Sequence, residues 1–247
     1  ADHAWMTAGV APATRSRDRE SGFNAHGQPA IQNNFIIDGI DNNNNVMGMQ
    51  DRKSQVVVPS LDAVAEFKVQ TSNYSAEFGR NSGAVMIVNL KSGTNALHGT
   101  MFEYLRNEKL DANGFFPNRS GARRQALRQN IFGGTFGGPI VENRTHFFAA
   151  FERSDENQFF TVNTGDRFPQ YDGTYVSDQY RWTYSVRVDH QISSTQNIFA
   201  RAASEVEYRP IITAGGRVHP TNSFDFGVPR ASYVGGHTWL LNASMIN

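Results

Sequence analysis

Arg181-Trp182-Thr183-Tyr184-Ser185-Val186-Arg187-Val188-Asp189-His190-Gln191 is the stretch that decides the fold. Its even positions are Trp182, Tyr184, Val186, Val188 and His190, while its odd positions are Arg181, Thr183, Ser185, Arg187, Asp189 and Gln191. Successive side chains of a strand point to opposite faces, so this period of two makes one face apolar and aromatic and the other wholly polar. Similar segments lie on both sides. Thr100, Phe102 and Tyr104 form such an apolar face, as do Phe147, Ala149 and Phe151, then Ile198, Ala200 and Ala202, and finally Trp239, Leu241, Ala243 and Met245. Around Phe132 and Phe136 the pattern is diluted by Gly133, Gly134, Gly137 and Gly138, residues that allow a strand to curve or its backbone to be approached closely.

The links between these segments alternate in length. Residues 139–144 and 193–196 read as short hairpin turns, whereas residues 107–128, 154–180 and 207–236 are links of roughly twenty to thirty residues, uncommon in compact soluble domains. A strand of about 9 to 11 residues tilted near 45° crosses the hydrocarbon core of a bilayer. Short turns on one side and long loops on the other are the rhythm of an outer-membrane barrel. The expectation is antiparallel β structure, a partial transmembrane β-barrel of about six strands. A soluble secreted β-sandwich, serving as an adhesin or carbohydrate-binding module, accounts equally for the alternation but leaves that rhythm unexplained.

The residues before this region read differently. Arg15 to Glu20 is a solvated charge run, Asn42-Asn43-Asn44-Asn45 a polar loop, and Phe35-Ile36-Ile37 a short strand ending in the turn pair Asp38-Gly39. Pro59 to Ala65 predicts a short helix whose first-turn N–H groups are capped by Ser60. Glu66 to Gln70 alternates as a strand, and Val85-Met86-Ile87-Val88, apolar on both faces, predicts a strand covered on both sides. Residues 1–96 therefore form an expected small α+β unit, followed at 97–247 by the antiparallel part.

Composition narrows the function. In 247 residues, 19% charged with 22 glycines and 12% aromatics, long helical architectures are disfavoured. Lys+Arg and Asp+Glu both number 23, so no net field recruits nucleic acid. With no cysteine there is no disulfide framework, thiolate nucleophile or Cys-based zinc site. A mean hydropathy of -0.49 and the lack of an 18-residue apolar run argue against a transmembrane helix, but strands that alternate would average to such a value. The start, Ala1-Asp2-His3-Ala4-Trp5, has no Met, basic start or apolar core, and the chain reads as a piece of a longer protein.

Ordered motifs then carry a resemblance. Phe35-Ile36-Ile37-Asp38-Gly39-Ile40-Asp41-Asn42, Pro59 to Val69, Ser75-Ala76-Glu77-Phe78-Gly79-Arg80 with Ser82 to Val85, and Lys91-Ser92-Gly93-Thr94-Asn95 resemble the plug of TonB-dependent outer-membrane receptors, most closely their Oar-like branch. His98-Gly99-Thr100, Phe102 to Asn107 and Asn130 to Ile140 are similar to that family's first barrel strands. The resemblance implies energy-coupled uptake of an oligosaccharide, peptide or metal chelate through plug rearrangement. It also implies a TonB partner, reached through a segment absent from this chain, and a place in the outer membrane of a Gram-negative bacterium. Family barrels have about 22 strands, so this chain would be a fragment: the C-terminal portion of a plug and the N-terminal portion of a barrel.

By the same resemblance Asn42, Asn43, Asn44, Asn45, Tyr74 and Arg80 are candidate ligand contacts. Arg119, Arg123, Arg124 and Arg128 cluster in the first long link, where guanidinium groups suit the phosphates of lipopolysaccharide. A solvated loop with ordinary surface charge is the plainer reading. No catalytic residue, metal site or cofactor is expected. The seven histidines lack ligand spacing, no G-x-S-x-G elbow occurs, and the glycine pairs near Phe132 have no following Lys-Ser/Thr to make a phosphate loop. Asp38 and Asp41 do not fit the calcium-loop spacing and read as Asx-turn residues.

Overall fold

The computed structural model describes residues 10–12, 23–28, 32–44, 55–71, 74–79, 81–113, 115–119, 124, 126–165, 167–211, 214–242 and 245–246. A two-stranded ribbon, β1 (Val10–Pro12) with β2 (Phe23–Ala25), precedes two larger sheets. The smaller contains β3 (Asn34–Ile37), β4 (Ile40–Asp41), β5 (Val64–Gln70) and β6 (Val85–Leu90) in the order β4-β3-β6-β5. β3 runs parallel to β6, and the other pairs are antiparallel. Val85, Met86, Val88 and Leu90 are all buried, which makes β6 the covered central strand its apolar run predicts. Phe35 and Ile37 meet Met86, Val88, Phe23 and Ala63 in one core. At the β3–β4 turn Asp38 and Gly39 take φ of +50° and +80°, a left-handed pair that Asp and Gly tolerate best.

The expected helix at Pro59–Ala65 shrinks to a single 3-10 turn, Leu61–Ala63, and Ser60 makes no side-chain cap. Its hydroxyl donates instead to Glu152 Oε2 at 2.9 Å. The hydroxyl is turned toward that carboxylate and away from the turn, and so short a turn leaves few N–H groups for a cap to satisfy.

The larger sheet is an antiparallel meander of β7 (His98–Asn107), β8 (Leu127–Val141), β9 (Thr145–Val162), β10 (Gly173–Ser193), β11 (Gln196–Arg209) and β12 (Phe226–Asn242), in sequence order. A two-residue β13 (Met245–Ile246) turns back onto Leu240 and Asn242, so Trp239 to Met245 is not one strand; Ala243 lies outside the described residues. The sequential order, with the small unit rather than a second sheet on the inner side, replaces the β-sandwich alternative by a piece of barrel wall. The two short turns occur where expected, at 142–144 with Asn143 at φ +58° and at 194–195. Two long links are shorter than expected, because β9, β10, β11 and β12 run on into them, leaving loops at 163–172 and 210–225. The first, 108–126, holds the one-turn helix α1 (Phe115–Arg119).

Alternation fixes the two faces. On β10, Thr183 and Ser185 are buried against the small unit's side, while Tyr184 and Val186 are 42% and 49% exposed outward. The outward row changes character where Trp182 pairs with Arg153: below lie Phe147, Ala149 and Phe151 on β9, above lie Asp155 and Asn157. Arg153 stacks on the Trp182 ring at 4.3 Å and bonds Asp155, a polar cap on the apolar row. From Trp182 to Ile192 the apolar row runs about 33 Å along the strand, or about 25 Å across a bilayer at the usual tilt. Residues 173–181 of β10 continue beyond that band.

β7 breaks the expected assignment. Thr100, Phe102 and Tyr104 face inward: Thr100 Oγ1 lies 3.0 Å from Asp62 Oδ2 and 2.8 Å from Thr135 Oγ1, and Phe102 pairs with Gly133. Met101 and Leu105, 96% and 70% exposed, take the outward row. Period two separates two faces but does not say which is inside; here the threonine pair and the ring space left by Gly133 decide.

Candidate functional site

The contact between the small unit and the inner face of the wall is where charges gather. Asp38, held at the β3–β4 turn, accepts from Leu90 N–H at 2.9 Å and lies 3.3 Å from Arg187 Nη1 and 3.1 Å from Arg201 Nη1. Its side chain is 5% exposed and that of Arg201 2%. Arg187 is also gripped by Asp189 at 2.8 Å and stacks on Phe199 at 4.5 Å, so it enters the contact already oriented. Arg201 is less well served: its Nη2 reaches Ser232 Oγ only at 3.5 Å, and its approach to Asp38 is a charge contact without hydrogen-bond alignment. One carboxylate thus sits between two wall guanidiniums.

Three further bonds tie the same surfaces. Ser60 donates to Glu152, Val58 N–H donates to Glu205 Oε2 at 3.3 Å, and Thr100 donates to Asp62. Glu205, fully buried, is braced within the wall by Arg230 Nη1 at 2.9 Å. An apolar patch completes the contact, since Phe148 and Ala150 of β9 join the small unit's core. The connecting segment 91–97 is seated too. A side chain at Gly93 would run into the Phe147 carbonyl, and Asn95 exchanges bonds of 2.6 and 2.7 Å with Asn143 in the first turn.

The residues expected to touch ligand are largely occupied inside the small unit. Asn42, 3% exposed, donates to Val57 O at 2.9 Å and accepts from Val57 N–H at 3.2 Å, standing in for a strand neighbour. Asn43 accepts from Phe35 N–H and donates to Asn34 and Asp41. Asn44 follows at the end of this described segment, and Tyr74 donates to the Asn81 carbonyl at 3.1 Å. Asn45, Arg80 and Arg123 lie outside the described residues. Arg119 ends α1, Arg128 stands outward near the start of β8, and the guanidinium of Arg124 donates to the Glu108 carbonyl. Sequence reading took Asp38 as a turn residue only and passed over Glu152, Arg201, Glu205 and Arg230. Their signal was the polar face of the alternating strands, above all the odd positions Arg201, Glu205 and Glu207 of β11.

Comparison with known proteins agrees with this geometry. Residues 89–166 match the family model described as outer membrane beta barrel domain. The TonB-dependent transporter Oar of Myxococcus xanthus is 27% identical over 206 residues, 71% of this chain and 19% of its own. Among solved structures, the outer membrane transporter YddB from Escherichia coli superposes with a TM-score of 0.70 at 17% identity, over 94% of this chain and 33% of that one. The siderophore receptor PirA from Acinetobacter baumannii gives 0.65 at 15% identity, over 96% and 34%. The chain thus spans about a fifth of the curated relative and a third of the solved structures. Fold, family model and relative converge on an outer-membrane β-barrel architecture, similar over the part this chain spans to that of the TonB-dependent transporter Oar.

Proposed function

We propose that the protein bearing this chain is a TonB-dependent transporter, not an enzyme, in which residues 1–96 supply part of the plug and 97–247 the first part of the barrel. Ligand enters from the long-loop side, and energy delivered by the TonB complex through a segment outside this chain shifts the plug to open a path. The observation that carries this reading is the contact itself. A plug fixed to its wall by Asp38 with Arg187 and Arg201, and by Ser60 with Glu152, exchanges those bonds for water when it moves. Sliding an entirely apolar surface into water would be harder to reverse. Ligand contact at Asn42, Asn43, Asn44, Asn45, Tyr74 and Arg80 belongs to this proposal, as does binding of lipopolysaccharide phosphates by Arg119, Arg123, Arg124 and Arg128.

The test is to tether plug and wall. Asp62→Cys with Thr100→Cys places two thiols at a contact now spanned by a 3.0 Å hydrogen bond, in a segment with no cysteine of its own. A reversible thiol cross-linker is applied to cells making the full-length protein. Growth on nutrients that the deletion strain cannot use is lost on cross-linking and restored by reductant. Growth that ignores the tether, or a deletion strain with no nutrient defect, refutes transport.

A further inference from the structure

Above the plug contact the inner wall opens into a cleft of about 220 Å³ lined by Gln129, Ser154, Glu156, Gln158, Gln179 and Arg181. The amides form a ladder: Gln179 donates to Gln158 at 3.2 Å, Gln158 to Glu156 at 2.7 Å, and Gln129 to Glu156 at 3.4 Å. Glu207 and Arg209, paired at 2.7 Å, close the far side. Two carboxylates therefore face two guanidiniums, and the cleft offers many donors and acceptors without net charge.

The same inward row of β10 continues from Arg181 and Gln179 through Ser177 to Tyr175, a run of about 20 Å. There Tyr175 and Tyr171 pack on His219 with ring centroids 4.9 and 5.0 Å away, and His219 Nε2 lies 2.9 Å from the Tyr175 hydroxyl. Phe168 joins Tyr171 at 6.4 Å; these two rings are 54% and 46% exposed. The loops that present them are fastened. Asn163 N–H donates to Gly216 O at 2.7 Å, Gly216 N–H to Thr161 O at 2.9 Å, and Thr164 is bonded twice to Asp172. An exposed aromatic platform thus leads down one strand into a neutral cleft rich in amides.

We propose that this track binds a neutral oligosaccharide, a specification that rests on the transport reading. A sugar hydroxyl both donates and accepts, which suits amides and carboxylates in alternation, while the apolar face of the ring stacks on an exposed aromatic ring. An anionic ferric chelate or a phosphorylated ligand requires surplus positive charge, which the cleft's balanced charges do not supply. A peptide's apolar side chains would require apolar pockets, and the cleft walls are polar.

The experiment is titration calorimetry on the purified full-length protein with maltohexaose, cellohexaose, xylohexaose and, as the anionic probe, ferric enterobactin. At least one hexasaccharide binds and the chelate does not. Tyr171→Ala and Gln158→Leu each weaken saccharide binding about tenfold, whereas Tyr233→Ala on the outward face leaves it unchanged. Binding of the chelate alone, failure of all three saccharides, or saccharide binding indifferent to both substitutions overturns the inference. Energised uptake of the bound probe by intact cells separates the two readings. Chelate uptake keeps transport and removes the sugar; saccharide binding at this cleft without energised uptake does the reverse.

Discussion

Replacing Asp38 by Asn removes one charge from the centre of the contact between the proposed plug and the wall and almost nothing else, since the amide oxygen still accepts from Leu90 N–H. Among the described residues Arg201, 3.1 Å away and 2% exposed, then keeps only a 3.5 Å approach to Ser232 and the repulsion of Arg187. At an effective dielectric of 20 a unit pair at that distance is worth about 5 kcal/mol gross, and stranding one partner of a buried pair costs about 3–5 kcal/mol net. Arg187 is 17% exposed and retains Asp189, so water and that carboxylate relieve part of the strain. The lower end, about 3 kcal/mol, is expected. Because the bond joins plug to wall, the loss falls on local opening of the plug rather than on the barrel. Hydrogen exchange at the amides of Asp38 and Leu90, measured on the full-length protein in detergent, should accelerate about a hundredfold, with exchange in β10 unchanged. Arg187→Gln, which leaves Asp38 facing Arg201, should accelerate it less than tenfold. Equal effects of the two substitutions, or less than a threefold change for Asp38→Asn, would refute the reasoning.

Val186→Arg, in the middle of the outward apolar row, should cost a refolded full-length barrel about 2–4 kcal/mol by denaturant titration, whereas Gln191→Arg on the inner face should stay within about 0.5 kcal/mol. Met101→Arg should resemble Val186→Arg, because β7 presents Met101 and not Phe102 to lipid; a tolerant Met101 would restore the opposite facing. Arg230→Ala leaves Glu205 buried without its guanidinium partner and should cost about 3–5 kcal/mol, much of it recovered when Glu205→Gln is added. Gly93→Ala drives a methyl group into the Phe147 carbonyl and should destabilise the linker seat by about 1–3 kcal/mol, seen as faster exchange at Asn143, whose N–H donates to Asn95.

What the sequence disclosed depends on the range of the interaction involved. The alternation at Arg181 to Gln191 is local, and it gives the strand, its two faces and its partners' type without further information. The apolar run at Val85 to Val88 likewise announces a covered strand. Thr100, Phe102 and Tyr104 alternate just as cleanly, yet their inward facing is set by Thr135, Gly133 and Asp62, which are remote in sequence. Strand ends were hidden for a related reason. Once β9 runs past the outward apolar row, polar residues such as Asp155, Glu156 and Asn157 continue the ladder without any apolar signal. At the site, Asn42 to Asn45 stood out by composition, whereas Asp38 and Arg201 are single charges in ordinary contexts. Their importance comes from a meeting across 163 positions of chain, which no local pattern encodes.

Two sets of buried charge emerge, and they differ in what holds them. Glu205 and Arg230 lie on neighbouring strands of one sheet, in register through the pair Glu205–Arg230, so the ladder that builds the wall also fixes their distance. Separating them requires unzipping β11 from β12. Asp38 and Arg201 share no ladder; only the docking of the plug brings them to 3.1 Å. The same chemistry therefore acts as a rivet within the wall and, in the proposed transport cycle, as a releasable catch between the wall and the plug. Glu205 links the two, since its second oxygen accepts from Val58 N–H while the first is held by Arg230. A plug that moves leaves Glu205 in place, still paired, and so surrenders a neutral donor there instead of stranding a charge. Among the described residues, apart from the Asp38 turn, the partners that the plug offers the wall are neutral or solvent-facing: a hydroxyl at Ser60, a backbone N–H at Val58 and the carboxylate of Asp62. The cost of release is thus concentrated at Asp38, which is why one neutral substitution there is expected to loosen the plug while the wall stays whole.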